Sequence, residues 1–250
     1  STTMIAQTVP HPNVLASSQL PRIVLNGVSF NTSSFGIDHN VYCECALNAK
    51  ELRPNLEFII NTIDPICKTS YMNFIDKNYL SSSSFSLIID EKTDERQLIE
   101  RIKEQYLELL KIGAISPEEN SLLIQMLQNV SNGNLDFQNT VNALINSKKG
   151  SSNGLISYVS VSLLENSIHF WNSKSGKGGG TDSEFAEFIC PWCIVLGLAD
   201  LAGATYGMVE YALTTETDSN HEEYGNELLG AGLSSGAKTS LGRGLGFIRD

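Results

Sequence analysis

Positive charge is scarce in this chain: 17 lysines and arginines stand against 28 aspartates and glutamates, for a formal net charge of −11. Nucleic-acid binding needs clustered cations that displace counterions from phosphate, and the one basic cluster here is Lys148–Lys149. No nucleic acid is therefore expected as a partner. Charged residues of both signs make up only 18% of the chain, below the usual quarter, which leaves a surface rich in Ser, Asn and Thr. Such a surface is common on extracellular proteins, so the expected location is secreted or cell surface.

Long apolar runs are missing as well. The longest uncharged one, Phe188 to Ala199, is bounded by Glu187 and Asp200. It falls short of the roughly 20 residues that cross a bilayer, so the reading is a buried core helix. Contact with a membrane surface is allowed, but no transmembrane helix is expected. No positively charged stretch followed by an apolar run lies near Ser1, so the sequence as given reads as lacking a signal peptide or as having lost one.

Catalytic motifs are absent too. Gly176 to Thr181 (GKGGGT) lacks the spacing of a phosphate-binding loop and reads as a flexible linker. Cysteine is sparse and odd in number, with Cys43, Cys45, Cys67, Cys190 and Cys193 in a chain of 250 residues too long to need staples. Cys190-Pro-Trp-Cys193 has C-x-x-C spacing at the start of an apolar helix, half of what a redox site requires. His39, Cys43 and Cys45 can be grouped with Cys190 and Cys193 as soft metal ligands. Inert buried thiols are the preferred reading over a structural disulfide or a zinc or redox site, and no cofactor or metal is expected.

What the chain does have is hydrophobic content of 41%, enough for an ample core and one domain. Helix signals run through its middle. Thr93-Asp94-Glu95 caps an apolar stripe from Leu98 to Leu110 that stops at Gly113. Ser116-Pro117-Glu118-Glu119 is a capping box with proline at the first helical position, ahead of Leu122 to Val130. Asp136 caps a third helix, and a fourth runs from about Leu155 to Trp171. In the last third, Ala199, Gly203 and Gly207 recur at four-residue steps and form a helix-packing face almost without side chains. Asp200 and Glu210 interrupt the same helix and read as a solvent-facing stripe, in preference to a polar core contact or a functional site.

The first ninety residues carry weaker signals. Asn26-Gly27 between Ile23-Val24-Leu25 and Val28-Ser29-Phe30 marks a hairpin. The spacing of Ile37, Val41 and Cys45 predicts a helix from Ile37 to Ala49, and Leu56 to Ile63 another after Pro54. Ser81 to Ser84 reads as a loop and Phe85 to Ile89 as a short strand or an extended connection.

The expected architecture is mainly α: a multi-helix bundle with an irregular, partly extended N-terminal arm. Residues 1–250 form a single domain, divided into the arm (1–35), a helical body (36–171), a Gly-rich linker (172–182) and a small-residue-rich helical C-terminal region (183–250). Ile37-Asp38-His39-Asn40, LISYVSVSLLENSIHFW (Leu155 to Trp171), ADLAGATYG and GAGLSSGAKTSLG together resemble a family of uncharacterised secreted bacterial proteins with Gly/Ala-rich C-termini. The C-terminal part is also similar to the small-residue helices of double-glycine bacteriocins, although Gly179-Gly180 lies deep inside this chain rather than near its start. The resemblance implies an exported helical protein and no activity. Three functions are in view: a non-catalytic exported protein serving assembly or partner binding, by a protein partner or self-association; a bacteriocin-like membrane-active effector; and an enzyme using His39 or His169 with a cysteine or carboxylate. The first is preferred, so the chain is more an interaction protein than an enzyme.

Overall fold

A computed structural model describes residues 14–48, 93–175, 189–214 and 219–247. The expected helix after Pro54, the Ser81 to Ser84 loop, the Phe85 to Ile89 strand, Cys67 and the Gly176 to Thr181 tract lie outside the described residues. Among the described residues the protein is a multi-helix bundle with one small sheet.

The described part of the arm begins at Val14. A 3-10 turn, Ala16–Gln19, leads into strands β1 (Arg22–Leu25) and β2 (Val28–Asn31), which pair antiparallel with Leu25 opposite Val28. Asn26 and Gly27 take φ of 53° and 84°, the left-handed values of a two-residue hairpin turn. Alternation then turns Ile23, Leu25 and Phe30 inward. The backbone N–H groups of Ala16 and Ser17 donate to the buried Glu165 carboxylate at 3.0 and 2.7 Å. The Asn153 side chain donates to Val24 O, and Asn26 to Ser219 O and His221 O.

Helix α1 (Phe35–Asn48) follows, covering nearly all of the expected helix from Ile37 to Ala49, but the aliphatic positions that mark its period are not its buried side. Ile37 and Val41 are exposed, at 53% and 42%, while Phe35, His39, Tyr42, Cys43 and Ala46 are buried. The aliphatic stripe was narrow, and the larger area to bury lay in the aromatic, histidine and cysteine side chains opposite. Gly36 lies so close to the next helix layer that a Cβ there would meet the Ser162 backbone.

Helices α2 (Glu95–Lys111) and α3 (Pro117–Ser131) both open with reciprocal capping boxes, Asp94 with Gln97 and Ser116 with Glu119. Each apolar side chain of α2 that goes fully inside, such as Leu98 or Ile102, stabilises the fold by about 1.5–3 kcal/mol. Helix α4 (Gln138–Asn146) has its first N–H held by the Asp136 carboxylate at 3.0 Å.

Helix α5 (Leu155–Lys174) is the axis of the molecule and is buried without a break from Leu155 to Ile168. It extends to Lys174, so Asn172 to Lys174 belong to the helix and not to a linker. Its polar residues are matched one by one. Ser157 donates to Glu119, Ser160 to Ile156 O, Ser162 to Ser33 O, and Asn166 to Ser17. Helices α6 (Pro191–Thr214) and α7 (Tyr224–Phe247) pack on each other, and α6 also packs on α5 and α2.

At 24 residues α6 is long and apolar enough, by length and composition, to cross a membrane, which the run-length estimate had missed because Asp200 divides it. Yet 78% of its most apolar window is buried, as in a core helix. The α6–α7 seam runs through small residues on both sides. A Cβ on Gly203 would meet Thr239 and approach Ser235 O to 2.6 Å, and one on Gly207 would meet the Ala231 backbone. Ala199 is fully buried, and the answering small residues on α7 are Gly232 and Gly236, against Ala204 and Met208.

Candidate functional site

Three titratable side chains of different chemistry meet in the core between α1 and α6. His39 and Cys43 are four residues apart on α1 and so share one face. Asp200 reaches them from the middle of α6, and all three are 0% exposed. This overturns the expected solvent-facing stripe of Asp200 and Glu210. Ten residues leave two side chains about 80° apart around a helix, enough to put Asp200 inside and Glu210 at the edge of a groove.

A buried carboxylate is costly unless its lone pairs are occupied. Two residues of α5, also four apart, meet that need on one oxygen: Trp171 Nε1 donates to Asp200 Oδ2 at 2.8 Å, and the Ser167 hydroxyl donates to the same atom. The other oxygen, Oδ1, lies 2.9 Å from His39 Nε2. The contact is an ion pair by distance, and no other donor reaches Oδ1. Cys43 Sγ sits 3.7 Å from His39 Nε2 and 3.9 Å from Nδ1, and the Ser240 hydroxyl of α7 contacts the sulfur.

Charge in this cluster is set by opposing effects. Burial disfavours a charged imidazole, but the Asp200 carboxylate and the adjacent Cys43 sulfur outweigh it, so His39 holds its proton well above the ordinary 6.5. Burial pushes the Cys43 thiol upward, with His39 opposing. Both directions keep protons on the cluster, on the His39 ring and on the Cys43 sulfur.

The other candidate ligands do not join this cluster. Cys190 and Cys193 are joined in a disulfide at the N-terminus of α6, and Cys45 is also disulfide-bonded. Cys43 is free, the one such thiol among the described residues. The five-ligand set therefore fails for a geometric reason as well: Cys45 lies two residues, about 200°, around α1 from Cys43. Cys190 and Cys193 are 2% and 0% exposed, and the Cys190 N–H is held by the Asn172 side chain at 3.2 Å. His169 lies on the exposed side of α5, away from the buried cluster.

Open clefts lie elsewhere. One of about 370 Å³ is lined by Arg22, Asn31, Ser34, Asp38 and Asn226, and partial burial raises the Asp38 carboxyl to about 6. Another, about 540 Å³, runs between α2 and α6 past Arg101, Glu104, Tyr206 and Glu210. Neither is lined by His39, Cys43 or Asp200.

Asp200 was the member that sequence reasoning misplaced, and Ser167 and Trp171 were not singled out as its partners. The available signal was an aspartate inside the small-residue face of an apolar helix, together with a serine and a tryptophan four apart on an equally apolar one. Comparison with protein-family models, with curated proteins and with solved structures returns no match to this chain.

Proposed function

We propose that the protein is a non-catalytic helical protein, exported or held at the cell surface, that works by assembly or by binding a protein partner. One observation carries this reading. The residues best suited to chemistry, His39, Cys43 and Asp200, close on one another inside the core at 0% exposure. A nucleophile and base must reach a substrate, and these do not. What the molecule offers to its surroundings is an acidic, Ser- and Asn-rich surface with Ile37 and Val41 one turn apart on the outer side of α1. The Cys190–Cys193 disulfide and the bridged Cys45 support an oxidising compartment.

Light scattering on the purified chain tests this. A defined oligomer is expected, reduced to monomer by Ile37→Glu with Val41→Glu at an unchanged melting temperature. A monomer at every concentration would remove the assembly reading. Two alternatives have their own readouts. Alkylation of Cys43 in the folded protein at the rate of a free thiol would move the assignment to a Cys/His enzyme. Vesicle leakage caused by the α6–α7 region, the part similar to bacteriocin helices, would move it to a membrane-active effector.

A further inference from the structure

We propose that His39, Cys43 and Asp200 form a binding site for one zinc-class divalent ion, which clamps α1 to α6 in the core. The proposal is independent of the assembly reading. It begins with donor chemistry: one imidazole nitrogen, one thiol sulfur and one carboxylate oxygen are the three ligand types that zinc takes from proteins. Their donor atoms all lie within 4.8 Å of one another. Bonds of about 2.0–2.3 Å to a tetrahedral zinc put donors roughly 3.3–3.7 Å apart. Nitrogen and sulfur are already 3.7 Å apart, and nitrogen and oxygen, at 2.9 Å, need to part by a few tenths of an ångström.

A second observation is the state of the Asp200 carboxylate. Oδ2 takes hydrogen bonds from both Ser167 and Trp171, while the buried Oδ1 faces the cluster, 2.9 Å from His39 Nε2. One oxygen tethered from outside and the other turned toward the remaining donors is how an outer shell orients a metal-binding carboxylate. The third is charge. A divalent ion with one thiolate, one carboxylate and a neutral imidazole sums to zero, so the loaded site carries no net charge into the core. On binding, the ion displaces the Cys43 proton and the proton on the coordinating His39 nitrogen to solvent. The fourth is redox context: Cys45, Cys190 and Cys193 are in disulfides, whereas Cys43 is reduced and enclosed with hard and borderline donors.

Elemental analysis and calorimetry with zinc chloride on the full, disulfide-intact chain, after treatment with a chelator, provide the test. One zinc per chain is expected, with a raised melting temperature. Cys43→Ser should abolish tight binding, and Ser167→Ala should weaken it by ~10–100-fold through loss of carboxylate orientation. Cys190→Ser with Cys193→Ser should leave it intact. X-ray absorption of the zinc-loaded wild type needs no variant and should read one sulfur at about 2.3 Å with nitrogen and oxygen at about 2.0–2.2 Å. Failure of the wild type to bind zinc, a shell without sulfur, or binding that survives Cys43→Ser would each overturn the proposal.

Discussion

At the scale of single residues, the Asp200 carboxylate is answered by His39, Ser167 and Trp171. Asp200→Ala leaves a charged imidazole and two donors buried without a counterpart, and should cost about 3–5 kcal/mol in urea unfolding of chelator-treated protein. An unchanged midpoint would mean that the ion pair contributes nothing. The pair also sets a pH dependence. The native state holds the His39 proton to a higher pH than the unfolded chain does, so its stabilisation is fully present below about 6.5 and is lost as pH rises through the folded pKa. Urea midpoints of the metal-free protein should therefore fall in alkali, and Asp200→Ala should flatten that fall. Glu119 is a residue of the same kind. Beyond its capping box it accepts from the Gly150 N–H at 2.7 Å and from Ser157 at 3.0 Å, tying the loop before α5 and α5 itself to the start of α3.

At the scale of elements, the α6–α7 seam has no spare volume. Gly203→Leu should destabilise by about 3 kcal/mol through overpacking. Gly203→Ala is the sharper measurement, because alanine in an exposed helix would gain ~1 kcal/mol from propensity, whereas here its methyl group meets Thr239 and Ser235. A thermal melt in which alanine raises the midpoint would show a loosely packed seam. This seam also marks what the sequence made legible. Capping boxes and the Asn26-Gly27 turn are local signals, each satisfied within a few residues of itself, and the run of small residues is visible locally although the surface it packs on is α7. The inward face of α1 was not local: whether Ile37 and Val41 or His39 and Cys43 turn inside depends on Asp200, more than 150 residues away. The same reason hid the site. A lone aspartate in an apolar helix states that a partner exists without saying which.

On the scale of the whole molecule, the arm is part of the body. Its turn and hairpin cover the core with Leu20, Ile23, Leu25 and Phe30, and its backbone satisfies Glu165. Deleting residues 1–31 should lower the melting temperature while leaving the oligomeric state in solution the same as that of the full-length chain. A fall in mass at constant melting temperature would instead describe an arm exchanged between molecules.

Ala16 and Ser17 find their acceptor 149 and 148 residues further along the chain. During synthesis at roughly 5–20 residues per second, Glu165 is joined about 7–30 s after they are. The arm is thus made well before the acceptor that holds its backbone. For that interval Leu25 and Phe30 also wait for Gly225, beside which they come to lie. A helper that binds nascent apolar segments would have that window in which to hold the chain open.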